Sequence, residues 1–332
     1  MSQNENTLLK VENLKKHFPV GRGLSSIFGT SEYVRAVDGI NFKLKKGEIM
    51  GLAGESGSGK STTGELIVRL IEPTEGNIYI NKNNIAHLKG KELEKFRKDV
   101  QMIFQDPYGT LNPRYNVKKT IEEPLTINGI RDSKEKEEKV HNALRKSGLK
   151  PVEKYLDKFP HELSGGERQR VSIARAVVLN PNILIADEPV SMLDVSVRAG
   201  VLDLLKSLSN NLGLAMVYIS HDLSTIRYLC QRTAIMYLGK LVEVGLTEKV
   251  LDNPKHDYTK LLLSAVPIPD PDYKRKKIND TGEMPDQINT YLGCNFAPRC
   301  PNKKEICEKV EPPTVTISEG HKVSCHLYSN EL

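Results

Sequence analysis

One short segment of the sequence has the residue types and the spacing that bind phosphate. Residues 54–61 read GESGSGKS and fit the pattern G-x-x-x-x-G-K-[ST] in full. Glycines at these positions let backbone N–H groups and the N-terminus of the following helix approach a phosphate chain. Lys60 would neutralise the β- and γ-phosphates, and the Ser61 hydroxyl would bind Mg²⁺. The predicted phosphate-binding residues are Gly54, Glu55, Ser56, Gly57, Ser58, Gly59, Lys60, Ser61 and Thr62.

Four polar side chains stand where apolar segments end. Asp187 and Glu188 follow NILIA, Gln105 follows VQMIF, and His221 follows LAMVYIS. Ligands of a parallel sheet bind at the carboxyl ends of its strands. We therefore expect Asp187 and Gln105 to serve the Mg²⁺ ion, Glu188 to polarise the attacking water as general base, and His221 to hydrogen-bond the γ-phosphate. The alternative for the acidic pair is that it caps the next helix.

A second glycine pair lies in HELSGGERQRVSIARA, residues 161–176. Ser164 is placed to cap a helix that starts at Gly165, and the free N–H groups of that helix would form a second anion site. Two glycines cost the helix about 1 kcal/mol each, so something compensates. One alternative is a plain capped helix whose glycines permit tight packing. The other is that each of two chains closes its serine–glycine segment on the nucleotide held by its partner.

The elements that position these residues read as an α/β fold. Apolar strands such as NILIA and LAMVYIS alternate with helical segments, and their continuous apolar character is typical of a parallel sheet covered on both faces. Residues 115–162 read as helical and charged. After about residue 263 the sequence becomes proline-rich and polar, which indicates a linker or wrap.

Composition excludes several classes of function. The net charge of +6 comes from 48 basic and 42 acidic residues, which favours a solvated surface over a nucleic-acid site. The chain has no tryptophan and only 6% aromatic residues, a poor supply for base stacking. No apolar run reaches the roughly 18 residues that span a bilayer, and the N-terminus lacks the pattern of a secretory signal. We expect a cytosolic protein.

Four of the five cysteines lie in the tail, with the spacing C-x5-C-x6-C-x17-C. The segment has few apolar residues, so it needs a cross-link, such as a bound metal or disulfides, to fold. Four thiolates suit a zinc site or an iron–sulfur cluster, and the spacing alone does not choose between them. Disulfides or free thiols are a further alternative. The candidate ligands are Cys294, Cys300, Cys307 and Cys325.

The motifs, taken in order, resemble those of ABC ATPases. LSGGERQR resembles the signature motif, GESGSGKST the Walker A loop and ILIADEP the Walker B strand. Gln105 matches the Q-loop, Asp194 in SMLDVS the D-loop and His221 the switch histidine. Phe18 stands where the family has an aromatic residue that stacks on adenine, with Tyr33 as its competitor.

The resemblance implies a fold and a mode of action. The fold is a P-loop α/β core with a mostly parallel sheet, an antiparallel β subdomain and a helical signature subdomain of about residues 106–165. Two such subunits, identical or distinct, would sandwich two ATP molecules. Each ATP would touch Ser164, Gly165, Gly166 and Glu167 of the opposite subunit. Closure on ATP and opening after hydrolysis would drive a permease whose coupling helices meet the helical subdomain.

The tail resembles the C-terminal extension of the oligopeptide/dipeptide branch of ABC importers. The matching residues are CNFAPRCP, Cys307, EPP and HKVSC. The resemblance implies a 4Fe–4S cluster on the four tail cysteines, with a structural role, and Zn²⁺ as the alternative. We accordingly divide the chain into an ATPase domain, residues 1–264, and a small Cys-rich extension, residues 265–332.

The resemblance predicts the ATP-hydrolysing subunit of an importer of di- or oligopeptides. The subunit would lie on the cytoplasmic face of the membrane, bind a permease, and serve an extracellular substrate-binding protein indirectly. Nickel or oligosaccharide cargo remains an alternative, as does a non-transport ABC ATPase acting on DNA. DNA-acting relatives need a long coiled-coil insert between the Walker motifs, and no heptads run between Lys60 and Asp187. No nucleic-acid partner is expected.

Overall fold

The computed structural model describes residues 6–20, 32–266 and 292–329. The glycine- and serine-rich segment 21–31 and most of the predicted proline-rich linker, residues 267–291, lie outside the described residues. The strands are β1 (Thr7–Pro19), β2 (Tyr33–Lys45), β3 (Ile49–Ala53), β4 (Glu75–Ile80), β5 (Asn83–Asn84), β6 (Val100–Ile103), β7 (Ile183–Asp187), β8 (Ala215–Ser220), β9 (Arg232–Tyr237), β10 (Lys240–Leu246), β11 (Thr314–Ser318) and β12 (His321–Ser324).

The helices alternate with these strands over most of the chain. They are α1 (Lys60–Ile67), α2 (Gly90–Asp99), α3 (Pro107–Thr110), α4 (Val117–Ile127), α5 (Ser133–Lys146), α6 (Gly165–Val177), α7 (Val195–Leu212), α8 (Leu223–Leu229), α9 (Thr247–Asp252), α10 (Asp257–Ala265) and α11 (Ile306–Lys309). Short 3-10 turns cover Val152–Lys154, Pro160–Glu162 and Ala297–Arg299. Within the described ranges, no helix combines the length and the apolar character needed to cross a lipid bilayer.

The chain divides into two compact units. The first contains Met1–Leu9, Leu44–Ile49 and Ile80–Ile219, and the second contains Lys10–Lys43, Met50–Tyr79 and Ser220–Leu332. The phosphate-loop segment and the cysteine tail therefore belong to the same unit, although more than 200 positions separate them in sequence.

The first unit contains a parallel sheet segment and a helical core. β6 pairs with β7 and β7 pairs with β8, both in parallel. Every residue of β7 and β8 is buried, as their continuous apolar character predicts. The helices pack through a cluster of buried apolar side chains: Leu111, Val117, Ile121, Leu125, Val140, Ala143, Leu144, Leu149, Val152, Tyr155, Leu163, Val171, Ala174 and Val178.

The second unit contains strands of both directions. β3 pairs in parallel with β9, whereas β9 with β10, β10 with β12, and β12 with β11 are antiparallel. In a further sheet, β1 lies between β2 and β4. An α/β fold with a mixed sheet is thus confirmed. The addition of the tail hairpin β11–β12 to β10 was not predicted.

One strand is longer than its sequence pattern indicates. The segment TLLKVE reads as a short strand over residues 7–12, but β1 continues to Pro19. Asn13 has a positive φ of 44° inside the strand, which interrupts the period-two alternation. The backbone pairing continues beyond this point, since the Thr74 N–H donates to the Lys15 carbonyl at 2.8 Å.

Candidate nucleotide-binding site and cysteine cavity

The phosphate loop joins β3 to α1 and its glycines are required by its surroundings. Gly59 is the N-cap of α1 with a φ of 103°, a left-handed conformation that side chains disfavour. A Cβ at Gly59 would overlap the carbonyl oxygen of Ala36, and one at Gly54 would overlap that of Met236. The loop therefore runs directly against the backbones of β2 and β9.

The loop lysine lies inside this turn. Lys60 is buried, and its ammonium group donates to the carbonyl oxygens of Gly54 and Glu55, each at 2.8 Å. Its Nζ also lies 3.4 Å from the Ser58 hydroxyl. Ser61, the predicted Mg²⁺ ligand, is exposed in the first turn of α1. The ammonium group and the helix N-terminus thus provide positive charge at one place, which suits a phosphate chain.

Two unpredicted residues hold the loop from outside. The Glu55 N–H donates to the Tyr258 hydroxyl at 2.8 Å. The Glu55 carboxylate accepts two hydrogen bonds from Arg299, Nη1 to Oε2 at 2.8 Å and Nη2 to Oε1 at 3.1 Å. Burial raises the pKa of Tyr258, so its hydroxyl stays protonated at neutral pH. No local signal at position 258 or 299 indicates these contacts.

Three further residues of the second unit that are predicted to contact the nucleotide are exposed: His221, Phe18 and Tyr33. His221 follows β8 and precedes Asp222, whose carboxylate caps α8 by accepting from the Ser224 N–H at 2.9 Å. Phe18 and Tyr33 are both exposed, at 38% and 44%. The Val20 N–H donates to the Glu32 carbonyl at 2.9 Å, close in sequence to both Phe18 and Tyr33. The choice of adenine-stacking residue stays a prediction.

In the first unit, adjacent strand ends hold Gln105 and the acidic pair. Because Ile103 pairs with Ala186 in parallel register, Gln105 and Asp187 leave the sheet at the same edge. Asp187 and Glu188 are buried. Glu188 has a left-handed φ of 46°, and its N–H donates to the Ile219 carbonyl at 2.9 Å. The next helix, α7, begins at Val195, so the acidic pair does not cap it.

The serine–glycine segment forms the N-terminus of α6. The Ser164 hydroxyl accepts from the Glu167 N–H at 3.3 Å, and the Glu167 carboxylate accepts from the Ser164 N–H at 2.9 Å. This reciprocal pair is a capping box. The hydrogen bond from the Ser164 backbone is the main cause that holds the pKa of Glu167 below its usual range.

The two glycines of α6 have different surroundings. A Cβ at Gly166 would overlap the side chain of Val197 on α7, so packing explains that glycine. A Cβ at Gly165 would be 3.7 Å from the Leu193 side chain, an ordinary contact. Packing therefore does not require glycine at position 165, where the helix N-terminus starts. Asp194, the predicted D-loop residue, is the exposed N-cap of α7.

All four tail cysteines line one cavity of the second unit, together with His256 and His326. Each is a free thiol, so the alternative of disulfides within this set is not what the structure shows. Burial raises the pKa of Cys294 to about 11 and that of Cys300 to about 12, and it also raises the pKa of Cys325. The Cys294 N–H donates to the Cys307 carbonyl at 2.7 Å, which ties the first tail cysteine to the third.

The donor set of this cavity suits a thiolate-binding metal or cluster in type and number. His326 is buried, and its Nδ1 has no hydrogen-bond partner, while its Nε2 lies 2.9 Å from the Val310 carbonyl oxygen. Within the described ranges, however, no three His, Cys, Asp or Glu side chains stand close enough to hold an ion as they are placed. The structure therefore shows a convergence of thiols but no metal site.

Cys230 contrasts with these four. It directly follows α8, is buried, and does not line the cavity. Burial raises the pKa of its thiol. It occupies the place of a small apolar side chain.

Comparison with known proteins gives consistent similarities over nearly the whole chain. The ABC transporter family model matches residues 37–191, and the model for the oligopeptide/dipeptide transporter C-terminal region matches residues 242–307. The oligopeptide transport ATP-binding protein AppF of Bacillus subtilis (strain 168) is 44% identical over 98% of this chain and 99% of its own length. The dipeptide transport ATP-binding protein DppF of Haemophilus influenzae is 44% identical over 97% of each chain.

Two solved structures of one protein share the fold. The dimeric structure of MJ0796, a bacterial ABC transporter cassette, is 30% identical, with a TM-score of 0.63. A dimeric post-hydrolysis state of MJ0796 bound to ADP and Pi has a TM-score of 0.62 at the same identity. Each covers 72% of this chain and 99% of the solved chain.

We predict that Gly59→Ala abolishes nucleotide binding, because the added Cβ meets backbone on β2 rather than a movable side chain. The matched control is Gly129→Ala. Gly129 also has a positive φ, of 84°, but nothing lies within 4 Å of its Cβ position. Titration with a fluorescent ATP analogue would measure binding, and thermal unfolding would measure the strain that both variants share. Equal nucleotide affinity in the two variants would show that the backbone contact is unimportant.

Proposed function

The chain belongs to the ATP-binding proteins of the oligopeptide and dipeptide ABC transporter family, and on that premise we propose that it hydrolyses ATP to power the import of di- or oligopeptides. The observation that carries the proposal is the phosphate loop, whose glycines abut backbone and whose lysine lies within it. The family relationship supplies the nucleotide, ATP with Mg²⁺. The cargo follows from the peptide transport named for the relatives.

Each polar group has a defined part in hydrolysis. The loop N–H groups and Lys60 bind the phosphates, while Ser61, Asp187 and Gln105 serve Mg²⁺. Glu188 accepts the proton of the attacking water, and His221 hydrogen-bonds the γ-phosphate. Phe18, or in its place Tyr33, stacks on adenine.

The α6 N-terminus acts on the ATP of a second subunit. The Ser164 capping box leaves other N–H groups of the first turn for an anion, and packing does not account for Gly165. Ser164, Gly165, Gly166 and Glu167 would complete the partner's site, with Asp194 beside it. The dimeric form of the MJ0796 cassette supports such pairing. The partner is a second copy of this chain or a similar, distinct chain.

As a transport subunit, the protein would bind a membrane permease on the cytoplasmic side. The helical subdomain of about residues 106–165 would receive it, and Tyr108, Ile127 and Phe159 are exposed apolar side chains there. An extracellular substrate-binding protein would act through the permease. We keep residues 1–264 as the ATPase domain and 265–332 as the extension.

For the cysteine cavity we propose a 4Fe–4S cluster held by Cys294, Cys300, Cys307 and Cys325, with Zn²⁺ as the alternative. Two observations support a bound group: four thiols line one cavity, and Nδ1 of the buried His326 has no hydrogen-bond partner. The bound cluster or zinc ion would cross-link the four thiolates and so stabilise a segment that has only a small apolar core. The Cys294–Cys307 backbone hydrogen bond already brings the first and third of these cysteines together.

Replacing the general base should stop hydrolysis but not binding. Glu188→Gln keeps the shape of the side chain and cannot accept a proton, so we expect ATPase activity with the permease to fall by about 10²–10⁴-fold. Glu94→Gln, an exposed residue of α2, is the control. Phosphate release and ATP affinity would be measured for each. An unchanged rate in Glu188→Gln would remove Glu188 from this role.

Mixing two inactive variants tests whether the site is shared. Lys60→Ala removes a phosphate ligand, and Ser164→Arg blocks the α6 N-terminus. In a dimer of this chain, each mixed dimer contains one complete site, so the mixture should recover about a quarter of the wild-type rate. The ATPase rates of the separate and mixed proteins give the result. A mixture no more active than its components would contradict completion by a second copy of this chain.

Cys300→Ser should lose the bound group. Elemental analysis of anaerobically purified protein should find iron in the wild type, or zinc under the alternative, and less in Cys300→Ser. Cys230→Ser is the control, since Cys230 does not line the cavity. The thermal midpoint should fall in the first variant alone. Wild-type protein without stoichiometric iron or zinc would contradict the proposed site.

A further inference from the structure

The segment between two of the tail cysteines reaches the phosphate loop. Arg299 directly precedes Cys300 and is buried, with 5% of its side chain exposed. Each of its two terminal nitrogens donates to one carboxylate oxygen of Glu55, Nη1 to Oε2 and Nη2 to Oε1. Bidentate guanidinium–carboxylate pairs of this kind are strong and geometrically specific.

Both backbone polar groups of Glu55 are hydrogen-bonded to side chains. Its N–H donates to the Tyr258 hydroxyl, and its carbonyl accepts from the Lys60 ammonium group. Tyr258 packs on Tyr237 with ring centroids 4.5 Å apart, and Phe296 lies 5.5 Å from Tyr258. Phe296 and Arg299 come from the same cysteine segment. The tail therefore helps to fix the position of Glu55. Because Lys60 donates to the Glu55 carbonyl, the tail also influences the position of the Lys60 ammonium group.

Glu55 also presents an electrostatic problem. It places a carboxylate within the loop that must bind the highly negative triphosphate of ATP. An unpaired negative charge there would repel the ligand, because like charges a few ångströms apart interact by more than thermal energy at a partly buried site. The guanidinium group of Arg299 neutralises this charge. Its hydrogen bonds also hold the Glu55 carboxylate in one orientation.

We propose that Arg299 is a positioning residue of the ATP site, which orients and neutralises the phosphate-loop residue Glu55 so that the loop accepts the triphosphate. Nucleotide affinity thereby depends on the fold of the cysteine extension, which holds Arg299 in place. The inference rests on the proposed binding of ATP to this loop. It assigns the extension a role in nucleotide binding beyond its own stability.

The test is the affinity for a fluorescent ATP analogue with Mg²⁺. Arg299→Gln leaves the Glu55 charge in place, and we expect it to weaken binding by about tenfold. Adding Glu55→Gln to the same chain removes the repelling charge and should restore most of the affinity. Arg227→Gln is the control, since Arg227 pairs with Asp252 on the surface of the same unit. It should bind as the wild type does.

The rescue separates positioning from a merely structural role. If Arg299 only stabilised the extension, removing the Glu55 charge would not restore binding, and that outcome overturns the proposal. Wild-type affinity in Arg299→Gln overturns it as well. Metal content, measured on each variant, should stay unchanged. Arg299→Lys keeps the positive charge but cannot form the bidentate pair, so this variant should bind the ATP analogue about threefold more weakly than the wild type. It provides the test if Arg299→Gln does not fold.

Failure of the inference and failure of the proposed function give different results. Wild-type protein that binds no MgATP overturns both. Wild-type protein that binds MgATP, together with an Arg299→Gln variant of equal affinity, overturns the inference alone.

Discussion

The close approach of the phosphate loop to the backbones of β2 and β9 is the constraint on which the nucleotide site of the second unit depends. Gly54 and Gly59 lie where any side chain would enter the carbonyl oxygens of β9 and β2. The Gly239 N–H adds a bond to the Ser58 carbonyl at 2.9 Å from the turn after β9. A loop held by backbone on both sides has little freedom to reorganise when it binds a charged ligand, and such preorganisation is what phosphate binding and transfer require.

The parts of the site that depend on local chemistry could be predicted from the sequence. The phosphate loop is one uninterrupted pattern, and the apolar runs before Gln105, Asp187 and His221 form short strands, as their composition indicates. Ser164 and Glu167 form the capping box that their spacing indicates. In each case the side chains that matter lie within a few residues of each other.

The parts that depend on distant contacts could not be predicted. Glu55 and Arg299 are 244 positions apart, and neither has a neighbour in sequence that indicates the other. The same holds for Gly166, whose small size is explained by Val197 on another helix, while Gly165 beside it has room for a methyl group. The two adjacent glycines therefore have different roles: Gly166 permits helix packing, whereas Gly165 leaves the helix N-terminus open. Only the structure distinguishes these roles.

The extension has a small apolar core, and buried polar contacts attach it to the rest of the second unit. Among its described residues, 292–329, the buried apolar ones are Phe296, Ala297, Cys307 and Val323. The hairpin is joined to β10 by a buried pair, His321 Nε2 to Glu243 Oε1 at 2.7 Å. Glu243 also accepts the N–H groups of Lys255 and His256, at 2.8 and 2.9 Å, just before α10 begins.

This network connects the hairpin to the cavity, because His256 lines the cavity and caps α10 with its Nδ1. Burial lowers the pKa of His256 to about 4, so the ring stays neutral and keeps accepting the Tyr258 N–H at neutral pH. Tyr258 in turn receives the Glu55 N–H. A carboxylate on β10, a neutral imidazole and a tyrosine hydroxyl thus form a continuous path from the tail to the phosphate loop. Each step is a hydrogen bond in a buried or part-buried setting, so loss of one leaves a polar group unpaired. These bonds therefore fix where the tail packs and also stabilise it.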